Sequence, residues 1–396
     1  MHHKNKVDLV ILAGGKGTRI KKYLKNLPKP MIKFNNKHFL AYLINNVSKY
    51  NFENTYILTG YKSDIIYKKF NNKEFNFNRV LCLKEKKLLG TGGALRRLNK
   101  KLNDFVLING DTIFDIDLQE FIKSYKKGTA GLIALTKNQK QKSSKLSRLS
   151  LKNRYVEYNI NGKLMNGGIY FFKKSFLKLI SSKKKSLENE ILPSLIEKKK
   201  ISGKFYNKFF LDIGSEFFLN NAPRLLIKNF KKPAIFLDRD GVINHDYGYV
   251  NTIKRFKFKR GVLKGLKYLS KKKYHIFIVT NQAGIGKKKF TIQKFRKLHL
   301  YLKNLFLKND ILINDVQYSP FHKNALIKKY KKNSNFRKPG NLMIQQIFKN
   351  WDIILNRSFM IGDKMSDKLA AKKSNLKFYF TQKDFYTQIK KIINNY

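Results

Sequence analysis

The feature that most constrains the fold is a pattern recurring through the second half of the chain, in which a short apolar run stops at a cluster of polar residues. Its sharpest instance is residues 234–244, Ala-Ile-Phe-Leu-Asp238-Arg239-Asp240-Gly241-Val-Ile-Asn. Four apolar residues running into two carboxylates two positions apart, then a glycine, read as a buried strand ending in an acidic turn. Side chains alternate along a strand, so a spacing of two can put both carboxylates on one side as the chain leaves the sheet. Such a pair can hold a divalent cation and attack a phosphate. Taken alone, Asp-x-Asp reads more readily as a solvated turn.

The rest of the second half changes that balance. Residues 262–272 read as a helix and 275–279 as a strand ending in Thr280-Asn281-Gln282. A helix over 291–307 and a strand over 315–318 follow. Then come Arg337-Lys338-Pro339-Gly340, a helix over 341–350, and a strand over 358–361 that ends in Gly362-Asp363-Lys364-Met365-Ser366-Asp367. Alternating strands and helices predict a parallel sheet covered on both faces, with any site beyond the carboxyl ends of its strands. The polar clusters fall at those ends.

In order, the four clusters resemble the four motifs of the haloacid-dehalogenase-like phosphatases. With Gly248-Tyr249-Val250 included, they are similar to the heptose-bisphosphate and histidinol-phosphate branch, over residues 234–380. The resemblance implies that Asp238 is a nucleophile forming an aspartyl-phosphate. It makes Asp240 the acid that protonates the leaving alkoxide and then the base that activates water. Thr280 and Lys338 are implied to hold the transferring phosphoryl oxygens, and Asn281 and Arg337 to make further substrate contacts. Mg2+ is expected on Asp238, Asp363 and the main-chain carbonyl of Asp240, with Asp367 orienting that shell. Without a cation and Lys338, several carboxylates and a phosphate could not share one pocket. One departure concerns zinc. Many relatives in this branch carry Cys-x-His and then Cys-x-Cys just before Arg-Lys-Pro, binding structural Zn2+. Here the loop reads Ser319-Pro320-Phe321-His322 and Ser334-Asn335-Phe336. His322 alone cannot make a four-ligand site, so no zinc is expected, and packing of Phe321 and Phe336 is expected to hold the loop.

In the first half, residues 7–12 are apolar and run into Ala13-Gly14-Gly15-Lys16-Gly17-Thr18-Arg19. Glycines let backbone N–H groups close around an anion, and Lys16 and Arg19 add charge, which predicts a phosphate-cradling loop. A plain glycine turn is the alternative. The order is neither that of a P-loop nor that of the dinucleotide fingerprint. Pro28 and Pro30 then fix the backbone around Lys29, which can address a phosphate as a point charge. This combination resembles the sugar-1-phosphate nucleotidyltransferases, which have a Rossmann-like mixed α/β fold, and the resemblance spans residues 7–228. It implies that Gly14, Gly15, Gly17 and Thr18 bind substrate. Strands over 55–59 and 80–83 lead to Gly90, Thr91, Gly92 and Gly93, implied to lie around base and sugar. A strand over 105–109 ends in Gly110-Asp111, and Leu211-Asp212-Ile213-Gly214 precedes a helix over 215–227. Asp111 and Asp212 are thereby implied to bind Mg2+, and Asn166 and Glu188 to contact the sugar. In the implied reaction, a sugar-1-phosphate oxygen attacks the α-phosphorus of a nucleoside triphosphate and pyrophosphate leaves. Arg19 and Lys29 would offset the developing charge. The family's Glu-Lys pair is Glu157-Tyr158 here, with Lys163 as the candidate substitute.

Residues 228–233, Lys-Asn-Phe-Lys-Lys-Pro, are polar, basic and closed by proline. They set the expected division into a nucleotidyltransferase domain over 1–229 and a phosphatase domain over 230–396. A length of 396 residues suits two such domains. With 85 Lys+Arg against 25 Asp+Glu the formal charge is +60. The excess is mostly lysine and is spread over the whole length, without a basic arm or an aromatic-basic signature. It therefore argues for steering of phosphorylated substrates and against nucleic acid. No apolar run approaches the roughly 18 residues of a membrane span, and the N-terminus lacks an apolar leader segment. The only cysteine is Cys82. A soluble protein of the reducing cytoplasm is expected.

Together the two resemblances imply consecutive steps. The 7-phosphate would be removed from D-glycero-D-manno-heptose 1,7-bisphosphate, and a nucleotidyl group transferred to the 1-phosphate that remains, giving GDP-heptose for surface polysaccharide. GTP is preferred because the adenylating heptose enzymes have a different fold and a His-x-Gly-His signature absent here, and not because any residue selects guanine. The alternatives are a mannose-1-phosphate-type nucleotidyltransferase fused to another phosphatase, or a silent binding module in one domain. The anomer and the oligomeric state, homo-oligomer included, stay open.

Overall fold

Both sheets are built from the apolar runs picked out in the sequence. The computed structural model describes residues 6–24, 26–85, 90–96, 98, 101–137, 145–180 and 186–395. The chain divides into two units, residues up to 47 with 52–225, and residues 48–51 with 226 onward.

In the first unit four strands lie parallel, in the order Asp104–Asn109, Val7–Ala13, Thr55–Thr59, Asn78–Lys84. Leu164–Phe172 pairs antiparallel with both Asp104–Asn109 and Gly131–Lys137, and Ile201–Phe205 runs parallel to Gly131–Lys137. The sheet is therefore mixed, as expected. Its central strands are buried on both faces, which is why they read as continuous apolar runs. Asp8 is a fully buried charged residue among them. Its carboxylate accepts the backbone N–H of Asn54 at 3.0 Å and of Asn103 at 2.7 Å, tying the loops at the amino ends together. Cys82 is buried in the Asn78–Lys84 strand, and burial pushes its thiol up to about 12.

In the second unit the strand order is Asp315–Ser319, His275–Asn281, Ala234–Leu237, Phe359–Gly362, Lys377–Phe380, and every pairing is parallel. From Ala234–Leu237 the chain steps outward in one direction for two strands, then returns to the other side of its starting strand. Connections diverge to opposite faces at such a reversal, which opens a crevice at the carboxyl end of Ala234–Leu237. Met343, Ile344 and Ile347 of the helix Leu342–Asn350 pack on Phe236, Phe277 and Met360 of the sheet.

The expected helices and strands lie within a few residues of those observed. Strands Gly131–Lys137, Ile201–Phe205 and Lys377–Phe380 lie where the sequence reading places none. Among the described residues no helix is long and apolar enough to cross a membrane.

Candidate active sites

The crevice of the second unit is arranged around Lys338, whose side chain is 1% exposed. Its Nζ lies 3.0 Å from Asp238 Oδ1 and 2.7 Å from Asp367 Oδ1, and donates to the Val279 carbonyl at 2.8 Å. Burial alone would lower the pKa of Lys338, but Asp238 and Asp367 outweigh it and hold the ammonium above the usual lysine range. Asp238 moves the opposite way from its pairing. Burial pushes its carboxyl up to about 6 against the pull of Lys338, with Asp367 and Asp240 adding to the rise. Asp363 is also raised, by burial first and against Lys364.

Carboxylate oxygens of Asp238, Asp363 and Asp367 lie within 4.8 Å of one another. Lys338 pairs with Asp238 and Asp367, and the half-exposed Lys364 stands 4.0 Å from Asp363 Oδ2, which leaves two cations facing three carboxylates. Oδ1 of Asp363 and of Asp367 is buried and accepts no hydrogen bond, but Asp367 Oδ1 is paired with Lys338 at 2.7 Å and its Oδ2 accepts the backbone N–H groups of Asp363 and Lys364 at 3.2 and 3.1 Å. An oxygen-rich cluster with an orphaned carboxylate oxygen fits a hard divalent cation on Asp238 and Asp363, with Asp367 orienting them. Gly241 makes that approach possible. Its φ is +87°, and a Cβ there would lie 2.2 Å from Asp363 Oδ2.

The Asp240 carboxylate accepts from three side chains. The Arg239 guanidinium donates to Oδ1 at 3.2 and 2.9 Å and to Oδ2 at 2.8 Å. Asn244 Nδ2 reaches Oδ1 at 2.9 Å, and Gln282 Nε2 reaches Oδ2 at 2.9 Å while also donating to Thr280 Oγ1 at 2.9 Å. Asn281 uses both ends of its amide on the main chain of Lys338, each at 3.0 Å, so it positions that lysine. The crevice measures about 320 Å3, and Tyr249, Lys287, His322, Arg337 and Lys364 line its wall. His322 Nδ1 accepts the Asn324 N–H at 3.0 Å, and Phe321 meets Tyr330 edge-on at 5.8 Å. Phe336 instead packs on the core of the sheet, so the two phenylalanines hold the loop at different places.

In the first unit, Gly15, Gly17, Thr18, Lys29, Asp111 and Gly214 line a cleft of about 210 Å3. Gly17 takes φ +63°, the left-handed conformation that lets the loop turn into the short helix Thr18–Tyr23. Gly14 packs against Gly60 instead, where a Cβ would come within 3.1 Å of the Gly60 nitrogen. The side chain of Arg19 lies outside the described residues. Lys29 Nζ donates to Asp111 Oδ2 at 2.5 Å. Burial raises the Asp111 carboxyl, but Lys29 beside it outweighs that and holds it below the usual range. Strand Phe210–Asp212 pairs antiparallel with Thr112–Phe114, setting Asp212 opposite Thr112 and next to Asp111. A Cβ on Gly214 would meet Asp212 Oδ1 at 2.8 Å and Lys29 Nζ at 3.0 Å. Two carboxylates and a lysine thus converge, a donor set that fits Mg2+ shared with phosphate oxygens.

A second group forms around Glu188, whose Oε1 accepts from Asn109 Nδ2 at 2.9 Å, Tyr170 Oη at 2.8 Å and Asn166 Nδ2 at 3.2 Å. Burial, with Glu188 beside it, holds the Tyr170 phenol well above its usual value, so it remains a donor. Thr91 Oγ1 accepts the Leu187 N–H at 2.8 Å, joining the helix Gly90–Arg96 to this group, while Gly92 and Gly93 are buried in that helix. Tyr158 has a buried hydroxyl without a hydrogen-bond partner, and burial pushes its phenol up to about 12. Lys163 is exposed, just before the strand Leu164–Phe172.

The nucleotidyl transferase family matches residues 9–146, and the polynucleotide kinase 3 phosphatase family matches residues 238–391. A D-glycero-beta-D-manno-heptose-1,7-bisphosphate 7-phosphatase of Rhodopseudomonas palustris is 35% identical over 164 residues, 41% of this chain and 91% of the relative. A D-glycero-alpha-D-manno-heptose 1-phosphate guanylyltransferase of Aneurinibacillus thermoaerophilus is 31% identical over 220 residues, 52% of this chain and 93% of the relative. The chain joins a nucleotidyltransferase to a haloacid-dehalogenase-like phosphatase. Among solved structures, HddC from Yersinia pseudotuberculosis is 28% identical with a TM-score of 0.45, covering 55% of this chain and 98% of that one. Both families generally use Mg2+.

Sequence reasoning missed Asn109 and Tyr170 in the nucleotidyltransferase unit, and Arg239, Asn244 and Gln282 in the phosphatase unit. Arg239, Asn244 and Gln282 lie inside the motifs Asp238–Asn244 and Thr280–Gln282, and that position is the available signal. Tyr170 closes the segment Asn166-Gly167-Gly168-Ile169-Tyr170, but its pairing with Glu188 is made only by the fold.

Proposed function

We propose that this bifunctional enzyme removes the 7-phosphate from D-glycero-D-manno-heptose 1,7-bisphosphate and transfers GMP from GTP to the heptose 1-phosphate, giving GDP-heptose. One observation carries the reading: a single chain covers more than nine-tenths of a heptose-bisphosphate phosphatase and of a heptose-1-phosphate guanylyltransferase. The product of the first reaction is the substrate class of the second.

In the phosphatase unit, Asp238 attacks the 7-phosphate phosphorus and the bond to the sugar oxygen breaks. Asp240 gives its proton to the departing alkoxide, then takes one from the water that hydrolyses the aspartyl-phosphate and frees Asp238. Lys338 and Thr280 hold the phosphoryl oxygens, and Asn281 keeps Lys338 in place. Mg2+ on Asp238, Asp363 and the Asp240 carbonyl would supply charge neutralisation as phosphate and carboxylate approach. In the nucleotidyltransferase unit, the loop from Gly14 to Arg19 cradles the triphosphate and Lys29 offsets charge at the α-phosphate. Asp111 and Asp212 would hold the metal, while Asn166 and Glu188 orient the sugar hydroxyls. The reducing cytoplasm suits a chain with one buried cysteine.

The two relatives differ in anomer, beta for the phosphatase and alpha for the guanylyltransferase. The second step requires the alpha 1-phosphate, so we assign the alpha bisphosphate to this chain. The test incubates alpha and beta bisphosphates separately with GTP and Mg2+, following phosphate, pyrophosphate and nucleotide-sugar. All three products are expected from the alpha anomer. Asp238→Asn should stop phosphate release while leaving transfer to preformed heptose 1-phosphate intact, and Asp111→Ala should do the reverse. Phosphate release without nucleotide-sugar from either anomer would remove the second activity from the assignment.

A further inference from the structure

Arg239 is the largest wholly buried side chain among the described residues, yet it lies between two carboxylates of the catalytic turn. A guanidinium is costly to bury unless its donors are paired. Here they are paired with a specific set. On one side its fork grips both oxygens of Asp240, with Nη2 at 2.9 and 2.8 Å and Nε at 3.2 Å. On the other side Nη2 donates to the Val250 carbonyl at 2.7 Å, and Nη1 lies 3.2 Å from His299 Nε2. The guanidinium carbon stands 5.8 Å from the centre of the Phe295 ring. His299 comes from the helix Ile292–Lys308 and is buried, and burial with Arg239 beside it holds the imidazole well below its usual pKa. A neutral ring facing an arginine presents Nε2 as an acceptor, which leaves the proton on Nδ1.

We propose that Arg239, anchored by His299 and the Val250 carbonyl, is a positioning residue that sets the rotamer of Asp240 and so fixes where a proton is delivered to the leaving alkoxide. The inference rests on the phosphatase reading above. Bidentate pairing fixes orientation as well as distance, which a lysine in the same place could not do. The Asp240 plane is defined from behind by the Arg239 fork and at its edges by Asn244 and Gln282. Gln282 also holds Thr280, so the proton donor and a phosphoryl-oxygen ligand share one bracket. Removing the anchor lets Asp240 rotate without removing its carboxyl. The loss should then appear where a proton must reach the leaving group and where water is later activated, and not in the first step of a substrate whose leaving group departs without a proton.

Leaving-group dependence separates this role from a structural one. Heptose bisphosphate releases an alkoxide that must be protonated, whereas p-nitrophenyl phosphate releases a phenolate that leaves without a proton. The experiment compares His299→Leu, His299→Gln and Arg239→Lys with the full-length wild type, in saturating Mg2+. Steady-state phosphate release is measured on the bisphosphate, and the rapid burst of nitrophenolate on the aryl ester. For His299→Leu and Arg239→Lys, kcat on the bisphosphate is expected to fall about 10- to 100-fold with KM little changed, and the burst rate by less than about threefold. His299→Gln keeps an acceptor towards Nη1 and should restore the sugar-phosphate rate. Should His299→Leu fail to fold, Arg239→Lys and His299→Gln carry the same comparison. Equal losses on both substrates, or no rescue by glutamine, would overturn the positioning role. A wild type that hydrolyses neither ester would instead overturn the phosphatase reading on which it stands.

Discussion

Lys338 and Arg239 are both buried cations among carboxylates, but they answer different needs. Lys338 gives a point charge to Asp238 and Asp367, while Arg239 gives a planar fork to Asp240. Asp238 carries a consequence for pH. Its folded value of about 6 lies above the ordinary 3.8 because burial penalises the charge. The folded protein therefore binds this proton more tightly than the unfolded chain does. Stability from this group is present at acid pH and is lost as pH rises through the folded value. Mg2+ needs the carboxylate, so the proton competes with it below that pH. The apparent Mg2+ affinity of metal-stripped protein, measured by titration calorimetry, should weaken about tenfold per pH unit below about pH 6, with proton release into the buffer. A flat affinity between pH 5 and 7, taken as about two units of acidity, would show that Asp238 does not control the site.

At the level of elements, Glu188 sits in the π-helical turn Leu187–Ile191, a wide turn that often marks functional positions. Its carboxylate collects donors from two strands. Glu188→Ala would leave Asn109, Asn166 and Tyr170 without their common acceptor. The expected result is a stability loss of about 1–3 kcal/mol in thermal denaturation and a raised KM for sugar 1-phosphate, with phosphatase kinetics unchanged. This group also marks how far the sequence can be read. Strand ends were legible because an apolar run and a polar stop are local signals, and they located Asp111, Asp212, Asp238, Thr280 and Asp363. The Asn109–Glu188 contact spans 79 residues and arises only from sheet pairing. Gly131–Lys137 and Ile201–Phe205 escaped notice for the same reason, since neither carries a motif and their parallel pairing is non-local. Nothing in the sequence tells which way Arg239 faces, and the packing of Ile292–Lys308, which brings His299 to its guanidinium, makes it an inward anchor. Asn281 shows the converse: its position was legible, but its bonding to Lys338 was not.

At the scale of the whole molecule, a net charge of +60 surrounds two sites that both take polyanions. Long-range attraction of this kind raises encounter rates and is screened by salt. Raising NaCl from about 0.05 to about 0.5 M should lower kcat/KM for the bisphosphate about tenfold while leaving kcat little changed. A salt-independent kcat/KM would mean that the charge serves something other than substrate capture. The solitary cysteine has a different consequence. Cys82 is buried in a strand, with a thiol pushed up to about 12, so almost none of it is thiolate at neutral pH. The native chain is in effect blank to maleimide chemistry. A single cysteine placed on any exposed loop would take a fluorophore or spin label at that position alone, so each unit could be watched separately during turnover without first removing a residue from the fold.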